Sequence, residues 1–105
     1  MADLTKILQQ AQQMQGKLAE MQKELENMTV TASAGGGMVT ASADGKGQLK
    51  SLKIDPTVVN AADVEMLEDL VTAAVSEVQR KAAAAAQEEM QKATGGLSLP
   101  FKLPF

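Results

Sequence analysis

Val30-Thr31-Ala32-Ser33-Ala34, Gly35-Gly36-Gly37 and Met38-Val39-Thr40-Ala41-Ser42-Ala43 follow one another without a break, and their reading decides the fold. The first and third stretches combine β-branched and small residues and predict two strands, with the three glycines as a flexible turn. Asp44-Gly45-Lys46-Gly47 is a hairpin turn signal. Gln48 to Ile54 predicts a third strand, with Leu52 and Ile54 on one face and Leu49, Ser51 and Lys53 on the other. Loops this short imply a three-stranded antiparallel meander. Its side chains are small and its edges need cover, which makes it a natural dimerisation surface.

Working outward, both flanks read as long helices. Before the meander, Leu4, Ile7, Ala11, Met14, Leu18, Met21, Leu25 and Met28 alternate spacings of three and four, a heptad seam over nearly four repeats. Asp3 is placed to cap the start, so this helix is expected over about 3–28. Methionine adapts its shape, so the seam grips a partner helix without specifying it tightly. Six glutamines between Gln9 and Gln22 keep the outer face polar with little charge, and Gly16 sits outward.

After the meander, Asp55-Pro56 stops the third strand, since proline offers no N–H to a ladder. Asn60-Ala61-Ala62-Asp63 resembles a helix start with Asn60 as the capping residue. Asp63, Glu65, Glu68 and Asp69 crowd the first turns, where the helix dipole favours negative charge. Leu67, Leu70, Val71, Ala74, Val75 and Val78 form the apolar stripe, Ala82 to Ala86 continue it as a thin rod, and Met90 resumes it before an end near Ala93. Each helix should be about 35–45 Å long. A sheet of this size cannot cover such lengths, so the helices are expected to project beyond it, paired with each other.

The expected architecture is therefore α+β, an α-β-β-β-α protomer forming a single domain over 1–94. An apolar, proline-containing tail follows over 95–105, either docked in a groove or disordered. The chain has 105 residues, and 17 of its 47 hydrophobic residues are alanine. A lone domain of this size buries about two-thirds of its unfolded surface. With only 30 larger apolar side chains, part of the core is expected from a second copy.

Composition excludes much chemistry. There is no His and no Cys, so imidazole and thiolate metal sites, serine and cysteine triads and disulfides are ruled out. Trp and Tyr are absent and Phe101 and Phe105 are the only aromatics, so platforms for stacking single-stranded bases lack their usual residues. No apolar run reaches the ~18 residues of a membrane helix, and no charged-then-apolar leader opens the chain. The expectation is a cytoplasmic protein, not an enzyme, with no cofactor, metal or small-molecule substrate. Gly35-Gly36-Gly37 lacks the spacing of a phosphate-binding loop, and Asp44-Gly45 with Gly47 lacks the remaining ligands of a calcium loop. Glu65, Glu68 and Asp69 are better explained by the helix dipole than by a cation.

Net charge is −3 but unevenly placed. Residues 30–54 carry Lys46, Lys50 and Lys53 against Asp44 alone, whereas 55–94 carry eight acids against Arg80, Lys81 and Lys92. If the helices pack antiparallel, Lys6, Lys17, Arg80, Lys81 and Lys92 lie along one projecting arm. The bland reading of the same residues is a solvated helix surface with intrahelical pairs such as Glu77 with Arg80.

Ala11-Gln12-Gln13-Met14-Gln15 with Lys17, Ile54-Asp55-Pro56, Glu65-Met66-Leu67-Glu68-Asp69-Leu70-Val71 with Ala73-Ala74, and the closing Pro100-Phe101-Lys102-Leu103-Pro104-Phe105 shift that balance. In this order they resemble the YbaB/EbfC family of small bacterial nucleoid-associated DNA-binding proteins, across essentially the whole chain. The resemblance implies a tweezers-like homodimer whose projecting helices contact double-stranded DNA, with a role in nucleoid organisation and gene regulation. Arg80 and Lys81 match a basic pair of the second helix. With the other basic residues of the helices, the candidate DNA contacts are Lys6, Lys17, Lys23, Arg80, Lys81 and Lys92, mainly to phosphate. Gln9, where relatives often carry lysine, and the uncharged run Ala82–Ala86 thin the basic surface and imply weaker DNA affinity. The alternative is a dimeric coiled-coil scaffold that binds proteins, which the methionine seam and bare alanine rod would also suit.

Overall fold

A computed structural model describes residues 2–93. Helix α1 (Ala2–Asn27) leads into strands β1 (Val30–Ala34), β2 (Val39–Ala43) and β3 (Leu49–Ile54). A short 3-10 turn (Pro56–Val58) then precedes helix α2 (Val64–Ala93). The strands form one antiparallel sheet in the order β1-β2-β3. This is the expected α-β-β-β-α, α+β architecture. The tail at 95–105 lies outside the described residues.

Strand alternation sets the layers. Ala32, Val39, Ala41 and Ala43 are buried against Ala74 and Val78 of α2, with Val58 of the 3-10 turn closing one end. Leu67, Leu70, Val71 and Val75 pack around them. The core is thin because it is built from alanine and valine: Val39 and Val78 are its largest fully buried side chains. Alanine lets α2 lie close to the sheet. Ala82, in the alanine run expected to form a thin rod, is fully buried.

Two local details differ from the sequence reading. The last capping residue before α2 is Asp63, whose Oδ1 accepts from Met66 N at 3.2 Å. Asn60 instead closes the preceding turn, accepting from Ala62 N through its side chain and from Asp63 N through its carbonyl. Two cap-forming residues stand in series, and the helix starts after the second. In β3, an irregularity of the ladder next to Ala43 pairs Leu49 with Ala43, on the apolar side with Leu52 and Ile54. Leu49 therefore does not share the Ser51 and Lys53 side.

The β2–β3 turn also anchors α1. Asp44 is buried, and its Oδ1 accepts from Lys46 N at 2.9 Å and Gln48 N at 3.0 Å. The next residue, Gly45, donates its N–H to Leu25 O at 2.7 Å. A Cβ on Gly45 would sit 2.8 Å from Leu25 Cδ2 and 3.0 Å from both Leu25 Cα and O. Two of those atoms are backbone and cannot swing aside. Gly45→Ala should therefore loosen the α1 anchor and cost about 1–3 kcal/mol, the usual penalty of overpacking. A thermal melt checks this; an unchanged midpoint would mean that α1 is not clamped here.

The long helices leave the protomer stretched. Its principal extents are 73 × 23 × 17 Å and its radius of gyration is 19.5 Å, against about 13 Å for a compact chain of 100 residues. The helices run antiparallel but meet over a short span. Lys17, Glu20, Met21 and Glu24 of α1 and Glu89 and Lys92 of α2 line one groove between them. Among the described residues of α1, only Met21 and Leu25 are buried. The two helices are therefore paired beyond the sheet, over the span where this groove runs. α2 spends its first turns on the sheet and ends beside Lys17, while α1 continues about 22 Å further.

Candidate nucleic-acid interface

The six basic residues singled out from sequence fall into two groups. Lys6, Lys17 and Lys23 stand on α1 and are all exposed. Eleven residues are close to three helical turns, so Lys6 and Lys17 share one side of α1. Lys23 is rotated away from them by roughly a third of a turn. No hydrogen bond or ion pair restrains these three amines among the described residues, which leaves them available to an external anion.

The α2 residues are engaged. Arg80 donates from Nε to Glu77 Oε2 at 3.1 Å and from Nη2 to Glu77 Oε1 at 2.5 Å. Arg80's hydrogen bond holds the Glu77 carboxyl below the usual carboxylate range, and the same contact raises the guanidinium. This is the intrahelical pair of the bland reading. Lys81 donates to Thr31 O of β1 at 3.2 Å, so it lies beside the sheet edge. Lys92 pairs with Glu89 at 3.7 Å and shares the interhelical groove with Lys17. The structure therefore brings Lys17 and Lys92 together. It places Arg80 and Lys81 where α2 crosses the sheet and leaves Lys6 near the far end of α1.

Two apolar surfaces accompany the lysines. On α1, Leu4, Ile7 and Met14 are 64%, 60% and 53% exposed, which leaves the first half of the heptad seam without a partner inside the protomer. On the sheet, α2 covers β1 and β2. The apolar side of β3, carrying Leu49, Leu52 and Ile54, is left exposed. Among the described residues there is no group of carboxylates arranged to hold a metal ion, and no helix is long and apolar enough to cross a membrane.

The sheet carries basic residues beyond these six. Lys50 and Lys53 are exposed on β3, and Lys46 in the turn bonds Glu26 at 2.7 Å. The local excess of positive charge over 30–54 was the signal that could have marked them.

Comparison with known proteins places the chain in a family. A protein of Gemmatimonas aurantiaca named nucleoid-associated protein is 58% identical over 103 residues, covering 98% of this chain and 99% of that one. A nucleoid-associated protein of Paramagnetospirillum magneticum is 53% identical, with both chains covered in full. The crystal structure of an uncharacterized protein from Helicobacter pylori matches with a TM-score of 0.67, covering 91% of this chain and 94% of that chain at 22% identity, which establishes the shared fold. The sequence pattern of the YbaB/EbfC DNA-binding family matches residues 1–97. A nucleoid-associated protein rather than an enzyme, the chain belongs to the YbaB/EbfC DNA-binding family.

Proposed function

We propose that the protein works in the cytoplasm on the nucleoid, binding double-stranded DNA as a homodimer. Its contacts go mainly to phosphate, from Lys6, Lys17 and Lys23 on α1 and from Arg80, Lys81 and Lys92 on α2, and contribute to nucleoid organisation and gene regulation. The observation that carries this reading is α1 itself: a long, exposed helix with unpaired lysines beside an unpartnered apolar seam. The lysines suit a polyanion, and the seam, with the bare side of β3, suits a second copy. Phosphate contacts position a protein without reading sequence. The absence of Trp and Tyr favours duplex over single strands, whose binding relies on aromatic stacking.

Light scattering followed by a salt-titrated mobility shift tests the proposal. The protein should run as a dimer at micromolar concentration. About three phosphates neutralised per protomer give a slope of log affinity against log salt of about −5 or steeper. A folded 11.0 kDa species would overturn the dimer. No duplex binding at ~50 mM salt, where the electrostatic contribution is strong, would favour the protein-binding scaffold.

A further inference from the structure

The pentapeptide Val-Thr-Ala-Ser-Ala stands twice in the chain, as β1 and as β2. The two copies pair antiparallel, so Thr31 lies opposite Ser42 and Ser33 opposite Thr40. Side chains alternate along a strand. The alanines and valines therefore turn toward α2, and the four hydroxyls turn to the other side of the sheet. Ser33 Oγ and Thr40 Oγ1 meet there at 3.1 Å. β3 continues the surface, with Ser51 opposite Ser42 and Lys53 opposite Thr40. Lys50, at the ladder irregularity, reaches across β2 to Met28 O at 3.0 Å and Thr29 Oγ1 at 3.2 Å.

The charge on this face is one-sided. Asp44 is buried and accepts from the backbone of its own turn. Asp55, at the end of β3, accepts from Thr57 N at 2.9 Å and from the Thr57 hydroxyl at 2.8 Å. Glu26 is paired with Lys46. Lys50 and Lys53 have no carboxylate partner among the described residues. The strands of this face carry serine and threonine with no bulky side chain between the lysines. Hydroxyl and ammonium donors with no aromatic among them fit a sugar–phosphate backbone, where Lys, Ser and Thr make much of a protein's non-specific contact.

We propose that this outer face of the sheet is a second contact surface for the backbone of duplex DNA. Lys50 and Lys53 neutralise phosphates, and the hydroxyls of the repeated strands donate to backbone oxygens. The proposal rests on the DNA-binding reading above and adds to it a surface separate from the helices.

Lys53→Gln is the clean test, since Lys53 holds no other part of the protein. In a dimer it removes two contacts, and the salt slope should flatten by about 2. Adding Lys50→Gln should flatten it by up to about 4, with circular dichroism confirming that loss of the Met28 contact leaves the fold intact. Independently, duplex DNA should slow acetylation of the Lys53 amine by an activated ester, and high salt should restore it. If the wild type binds duplex but Lys53→Gln keeps its slope and acetylation is equally fast with and without DNA, the sheet face is not a contact and the helix reading stands alone. If the wild type binds no duplex, the DNA reading fails and the sheet surface fails with it.

Discussion

Val78→Asp should leave the protein without a cooperative fold. Val78 is fully buried, one of the two largest side chains that are, and sits where α2 presses on the sheet. An aspartate there would bury a carboxylate among alanines and valines with no donor to meet it. Burying an unpaired polar or charged group costs several kcal/mol. A small domain has about 5–15 kcal/mol in total, and a core of alanine and valine places this one where such a loss is decisive. Ser76→Asp, two residues away on an exposed position of the same helix, is the control and should fold. Circular dichroism and thermal melting of the two variants check the expectation. A wild-type melt for Val78→Asp would mean that the α2–sheet contact is not the stabilising core.

The parts of this fold legible in the sequence are those set by local spacing. The three strands, the glycine turn, the Asp44 turn and the two helices follow from periodicity and turn residues within a few positions. What stayed hidden depends on distance between elements. Ala82 looks the same as Ala83 in a run of five alanines, yet α2 buries one and exposes the other. The 3-10 turn at Pro56–Val58 is held by Asp55, which accepts from Thr57 N, and it buries Val58. An Asp-Pro pair stops a strand, and its Asx turn becomes visible only once Thr57 is placed beside Asp55. Leu49 changed sides because a ladder irregularity adds a residue that alternation cannot foresee.

The candidate site divides along the same line. Sequence alone puts Lys6, Lys17 and Lys23 on one helix. It does not show that Arg80 is already occupied by Glu77, nor that Lys81 is drawn to the β1 edge. It shows the methionine and leucine seam, but not that α2 stops short of the seam's first half. That shortfall is what turns the first half of the seam into an exposed apolar surface.

That difference in engagement decides where the largest loss of DNA binding should fall. Replacing Lys6, Lys17 and Lys23 together by Gln removes three unrestrained amines per protomer, six in a dimer. The salt slope should flatten by about 5, so between about 50 and 200 mM salt the wild type should lose about 10³-fold more affinity than the variant. Folding should hold, because all three positions are exposed. Arg80→Ala with Lys81→Ala removes four cations from the dimer but should flatten the slope less than their number suggests. Part of the Arg80 charge is already balanced by the Glu77 carboxylate, and without Arg80 the freed Glu77 adds an unpaired negative charge beside the DNA. That variant should therefore lower affinity at every salt concentration while keeping most of the slope. Mobility shifts of both variants across the salt range separate the two effects. If the α2 pair flattens the slope more than the three α1 lysines do, then α2 where it crosses the sheet, and not the projecting end of α1, meets the DNA.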